Sequence, residues 1–170
     1  MGRALRLGLD ALYRACGFIA ALFLMAVLLI ILAQIGARWM GLQFPGSSAY
    51  AGYAMAGASF FALAYTLNHG AHIRVSLVIG RLTGTARRIA ELWCLLIATG
   101  LSTYFAWYAI RAVQVSRMIN DVSQGQDATP LWIPQLVMPI GTILLAVAFA
   151  DHLVRLLFGH AITSDERIQK

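Results

Sequence analysis

Charge is what this sequence has least of. Of its 170 residues, 13 are Lys or Arg and 7 are Asp or Glu, so charged side chains form only 12% of the chain. An ordinary soluble domain carries roughly 25%. Apolar residues make up 60%, and a water-soluble fold of this length could not hide so much apolar surface. A bilayer can. Cysteine is scarce too. Cys16 and Cys94 stand too far apart in sequence for a disulfide framework or a zinc site. The net charge of +6 could suggest nucleic acid. The basic residues, however, flank apolar blocks and form no cluster with interleaved aromatics, so no nucleic-acid partner is expected.

Reactive motifs are missing as well. No Gly-rich phosphate loop, nucleophile elbow or HExxH is present. A haem-binding bundle needs histidines deep within facing helices. His69, His72, His152 and His160 all lie at or beyond the ends of apolar blocks. His69 and His72 could share a helix face, but they lack a third ligand nearby, so no metal is expected. No ionisable residue falls mid-block to act as the coupling site of a self-sufficient exporter. These absences argue against an enzyme or a cofactor-bearing chain and favour an accessory or scaffold subunit.

What is present is four long apolar windows, at about residues 16–36, 49–67, 92–110 and 131–150. A hydrocarbon core about 30 Å thick needs about 20 such residues in a helix. The first window has Gln34 as its only strongly polar residue, and the other three contain no charge. One central Arg or Asp costs about 2.5–3.5 kcal/mol on insertion, so their absence is informative. The pattern predicts an all-α integral membrane protein, with residues 1–160 as one four-helix membrane domain and 161–170 as a charged cytoplasmic tail. The first window exceeds a signal-peptide core and lacks a good cleavage site, so it reads as a retained anchor.

Orientation follows from the positive charges. With both termini in the cytoplasm, ten basic residues lie inside and only Arg38, Arg111 and Arg117 outside. Both cysteines then sit near the reducing face. Trp39, Tyr50, Tyr53, Trp107, Tyr108 and Trp132 fall near the outer interface. Between the second and third windows, residues 72–88 mix apolar side chains with Arg74, Arg81 and Arg88 at a spacing that keeps the arginines on one side. This predicts a broken interfacial helix whose arginines reach membrane phospholipids. Glu91, just inside the third window, is expected to pair with Arg87 or Arg88. Asp151, His152 and Arg155 read as a solvated helix end.

Small residues mark helix contacts. Ala51, Ala54, Ala58 and Ala62 form a stripe in the second window, and Gly52 with Ala56 a further pair. These serve either contact inside the unit or a surface for another membrane protein. In the third window Thr99, Ser102 and Thr103 cluster on one side. Before the last helix, Thr129 reads as its N-cap and Pro130 as its first turn. Pro134 and Pro139 come too late for that. Pro139 should bend the helix and release the carbonyl of Gln135, which reads as a packing kink rather than a transport site. His72, Arg74, Arg81, Arg88, Glu91, Trp132, Pro134 and Pro139 are the candidate contacts for a partner or lipid.

Several stretches together resemble a known family. They are Tyr50-Ala51-Gly52-Tyr53, Ser59-Phe60-Phe61-Ala62-Leu63-Ala64, His69-Gly70-Ala71-His72-Ile73-Arg74-Val75, Thr129-Pro130-Leu131-Trp132-Ile133-Pro134 and Pro139-Ile140-Gly141. With the four-window layout they resemble the small membrane subunit of TRAP transporters, the DctQ type, over nearly the whole chain. The resemblance implies a tripartite system. A periplasmic binding protein delivers a solute, often an organic acid, to a two-subunit membrane complex of the bacterial inner membrane. The large permease subunit would hold the substrate and ion sites, with sodium the usual ion, and the small one would brace it. Two departures stand out. Ser47 and Ser48 occupy positions where family members often carry acidic residues, and Ser76 stands where many have Asp. Two other readings remain: the small subunit of a tripartite tricarboxylate transporter, and a membrane anchor of a haem or quinone oxidoreductase.

Overall fold

The first three apolar windows each lie within one helix, and the fourth is divided between a short helix and a long one. The structure, a computed structural model, describes residues 3–42, 44–68, 85–123 and 128–157. Helix α1 spans Arg3–Trp39, α2 Ser47–Asn68, α3 Thr85–Met118, α4 Trp132–Gln135 and α5 Val137–Leu157. Helix α1 has 37 residues and α3 has 34, lengths of about 55 and 51 Å, against a hydrocarbon core of about 30 Å. Both therefore run well past the apolar windows that announced them. Three helical stretches, Arg6–Trp39, Thr85–Met118 and Trp132–Leu157, are long and apolar enough to cross a membrane. Helix α2 has 22 residues and no charge, but its Ala, Gly, Ser and Tyr content leaves it short of that apolar standard.

Among the described residues the main helix pairings are α1 with α2, α2 with α5, and α5 with α3. The helices thus stand in a row, ordered α1, α2, α5, α3. Small side chains line much of these seams, because apolar helices in lipid gain most from close backbone approach. Helix α2 buries Ala54, Gly57 and Ala58, and α3 buries Ser102, Ala106, Ala109, Val113 and Ser116 along one stripe. The alanine stripe of α2 therefore turns partly inward, at Ala54 and Ala58, whereas Gly52 and Ala56 remain exposed. The predicted cluster in α3 divides: Ser102 is buried and Thr103 exposed. All three hydroxyls bond carbonyls of their own helix, at 2.7–3.1 Å, so none bridges to a neighbour through these bonds.

Helices α2 and α5 cross with their backbones close together. A Cβ on Gly141 would stand 2.5 Å from Phe60 Cβ and 3.0 Å from its carbonyl carbon and oxygen. Only glycine allows that approach. Toward one end of the helix axes Tyr13 and Cys16 of α1, Ala64 of α2 and Ala148 of α5 form a buried cluster, with Leu9, Phe61, Leu67 and Leu144 packed against it. This is the Tyr13 end. The opposite, Tyr53 end carries the start of α2, the end of α3 and α4.

Candidate partner interface

At the Tyr53 end, hydroxyl groups tie α2 to the connection between α3 and α4. Tyr53 Oη donates to Ser123 Oγ at 2.7 Å, and Tyr50 Oη and Thr129 Oγ1 share a bond of 3.2 Å. The two tyrosine rings meet edge to face, with centroids 6.2 Å apart. Val122 and Pro130 pair antiparallel, with Ser123 N–H donating to Thr129 O at 2.8 Å and Leu131 N–H to Asp121 O at 2.9 Å. Arg117, in the last turn of α3, lies over the Trp132 ring at 5.5 Å, a cation–π contact.

Thr129 is not the helix cap that its sequence position suggested. Leu131 holds that place, and no side chain caps the helix. The Thr129 hydroxyl is engaged by Tyr50 instead. Pro134 lies within α4, and Pro139 is buried in α5. Without a proline N–H, the carbonyls of Pro130 and Gln135 lose their usual helical donors. Ile133 N–H turns to Pro130 O at 3.2 Å, and Leu136 N–H turns to Ile133 O at 3.2 Å. These shorter-range bonds separate α4 from α5 at Leu136. The expected break is present, one turn ahead of Pro139.

The Tyr13 end carries the ion pairs among the described residues. Arg87 Nε donates to Glu91 Oε1 at 3.0 Å across one helical turn, the expected pairing. Both residues lie in the opening turns of α3, which also contains Arg88. Arg88 Nη2 donates to the Leu156 carbonyl at 3.3 Å. That bond serves one of the last orphan acceptors of α5 and places a cation at the negative end of its dipole.

One turn earlier the structure corrects the sequence reading. Asp151 and His152 are not a solvated helix end, since they are 5% and 6% exposed. Arg155 Nη2 lies 2.5 Å from Asp151 Oδ2, with the two side chains 14% and 3% exposed. Tyr13 Oη, fully buried nearby, has no hydrogen-bond partner among the described residues. The physical reason is the extra length of α1. Its opening turns run beside α2 and bring Tyr13 into the buried cluster with Ala148 of α5, one turn from Asp151, on a face that hydropathy alone would leave in water. Apolar periodicity in Leu9, Tyr13, Cys16 and Ala20 was the available signal.

Of the candidate contacts, the structure therefore gathers Arg88 and Glu91 at one end and Trp132, Pro134 and Pro139 toward the other. His72, Arg74 and Arg81, with most of the expected interfacial segment, lie outside the described residues. Among the described residues no group of three metal-ligating side chains occurs. The search of curated proteins found no match. A family model described as "Tripartite ATP-independent periplasmic transporters, DctQ component" matches residues 27–159. That stretch takes in the last third of α1 and all of α2 to α5, with Pro134, Pro139 and the tyrosine-bearing start of α2. The chain belongs to the DctQ family, the small membrane subunits of tripartite ATP-independent periplasmic transporters.

Proposed function

We propose that this chain braces the large permease subunit of such a transporter in the bacterial inner membrane. In this reading it takes no direct part in solute chemistry. The large subunit carries out ion-coupled uptake, with sodium as the ion, of a small organic acid delivered by a periplasmic binding protein. All four long helices span the bilayer, with both termini and the Tyr13 end in the cytoplasm. Residues 72–88 run along the inner interface, and their arginines meet lipid phosphates.

The observation that supports bracing is the row itself. Helix α1 and helix α3 sit at its two ends, and α3 is seated through one small-residue stripe. Such an open row offers long flanks to a larger neighbour. Co-expression with the large subunit, followed by detergent extraction and size-exclusion chromatography, tests the reading. A stable complex of the two chains is expected, with the large subunit recovered poorly when this chain is omitted. Full recovery of an active large subunit without it would contradict the proposal.

A further inference from the structure

Helices α1 and α5 are not among the main pairings of the row, yet buried polar groups from both come together at the Tyr13 end. Tyr13 of α1 packs in one cluster with Ala148 of α5, and Asp151 follows Ala148 by one helical turn. Tyr13 is 0% exposed and Asp151 5%. Asp151 Oδ2 faces Arg155 Nη2. Its other oxygen, Oδ1, and the Tyr13 hydroxyl have no hydrogen-bond partner among the described residues. Burial apart, the charge of Asp151 acts most strongly on that hydroxyl, followed by the charge of Arg155. The three polar groups therefore share one neighbourhood, closed to bulk solvent.

A buried hydroxyl and a buried carboxylate oxygen are both costly to leave unpaired. Such groups are commonly served by an ordered water, which makes about three hydrogen bonds. We propose that Tyr13, Asp151 and Arg155 bind one internal water molecule, which bridges α1 to α5. Tyr13 Oη donates to the water, and the water donates to Asp151 Oδ1. An N–H of Arg155 also donates to it, since a guanidinium has more donors than one carboxylate oxygen uses. Charge decides against an ion. Asp151 and Arg155 compensate each other, so a cation or an anion would bring an unpaired charge into a buried site. The occupant that fits is neutral, small, and both donor and acceptor. Water meets all three conditions, and its bonds supply the polar link between α1 and α5 at this end.

The test is X-ray radiolytic footprinting of the full chain in membranes, read by mass spectrometry. Hydroxyl radicals formed from a bound water modify the side chain beside it, even one closed to solvent. Tyr13 should be labelled to a similar extent as the exposed Tyr50. After rapid mixing into heavy-oxygen water, Tyr50 should take up the heavy label at once, and Tyr13 about tenfold more slowly, as a held water exchanges. Replacing Asp151 and Arg155 together by Leu leaves no lone charge. That variant should lower Tyr13 labelling about tenfold and leave Tyr50 unchanged, because the water loses two of its three partners. Background labelling of Tyr13 in the unaltered chain would overturn the proposal in favour of a dry, direct contact. Exchange at Tyr13 as fast as at Tyr50 would show open solvent instead of a bound water, and undiminished labelling in the double variant would remove Asp151 and Arg155 from the site. The first two measurements need no substitution, so they decide the matter even if the variant fails to fold.

Discussion

Asp151–Arg155 and Arg87–Glu91 are ion pairs of the same helical spacing in different surroundings. Asp151 and Arg155 side chains are 3% and 14% exposed, whereas Arg87 and Glu91 are 44% and 22% exposed. Water screens the second pair, and it contributes about 0.3–0.5 kcal/mol. The first has little water to fall back on, so removing one member strands the other. Asp151→Ala should therefore cost about 3 kcal/mol, and Glu91→Ala only a few tenths. Thermal unfolding in detergent, followed by helical circular dichroism, reads the difference. Replacing both Asp151 and Arg155 by Leu should recover most of the loss, because no charge is then left alone. Equal costs for the two single variants would mean that the buried pair is solvated after all. The Glu91 partnership was legible in the sequence, because spacing along one helix decides it. The burial of Asp151 was not, because it depends on how far the first helix continues.

At the scale of the element, four helix positions were readable and their lengths were not. The apolar windows at about 16–36 and 92–110 lie inside α1 and α3, yet these helices extend through turns carrying Arg6, Asp10 and Arg14, or Arg111 and Arg117. Hydropathy marks where a helix avoids charge, whereas backbone hydrogen bonding continues through charged turns, and in these two helices through Gly8, Gly17, Gly36 and Gly100 as well. Proline did carry its signal, and the break at Leu136 lies beside the residues that predicted it. Thr129 misled because a hydroxyl that could cap a helix met a tyrosine from another helix first. Packing between elements turns on single atoms. Gly141→Ala would place a methyl group against the Phe60 backbone, which cannot move as a side-chain tip can. A loss of about 1–3 kcal/mol is expected. Gly36→Ala, with nothing within 4 Å, should be neutral or stabilise slightly, by up to about 1 kcal/mol. Similar thermal midpoints for the two variants would show that the α2–α5 crossing is looser than described.

For the whole molecule, the row of helices and the placement of polar groups lead to one account. Ion pairs, tyrosine bonds and the cation–π contact lie toward the Tyr13 and Tyr53 ends of the helices, and small side chains and aromatic rings fill the seams between them. Such a layout suits a chain that holds position in a bilayer beside a larger neighbour. The family was legible in the sequence because its markers are local: the tyrosines opening α2, the prolines breaking α4 from α5, and the His72-Ile73-Arg74-Val75 block. Solute uptake into sodium-loaded and sodium-free proteoliposomes tests the central claim most directly. Vesicles are prepared with this chain alone, and with this chain and the large subunit, each supplied with the loaded binding protein. The account predicts uptake driven by an inward sodium gradient only when both membrane chains are present. Sodium-driven uptake by this chain alone would contradict it.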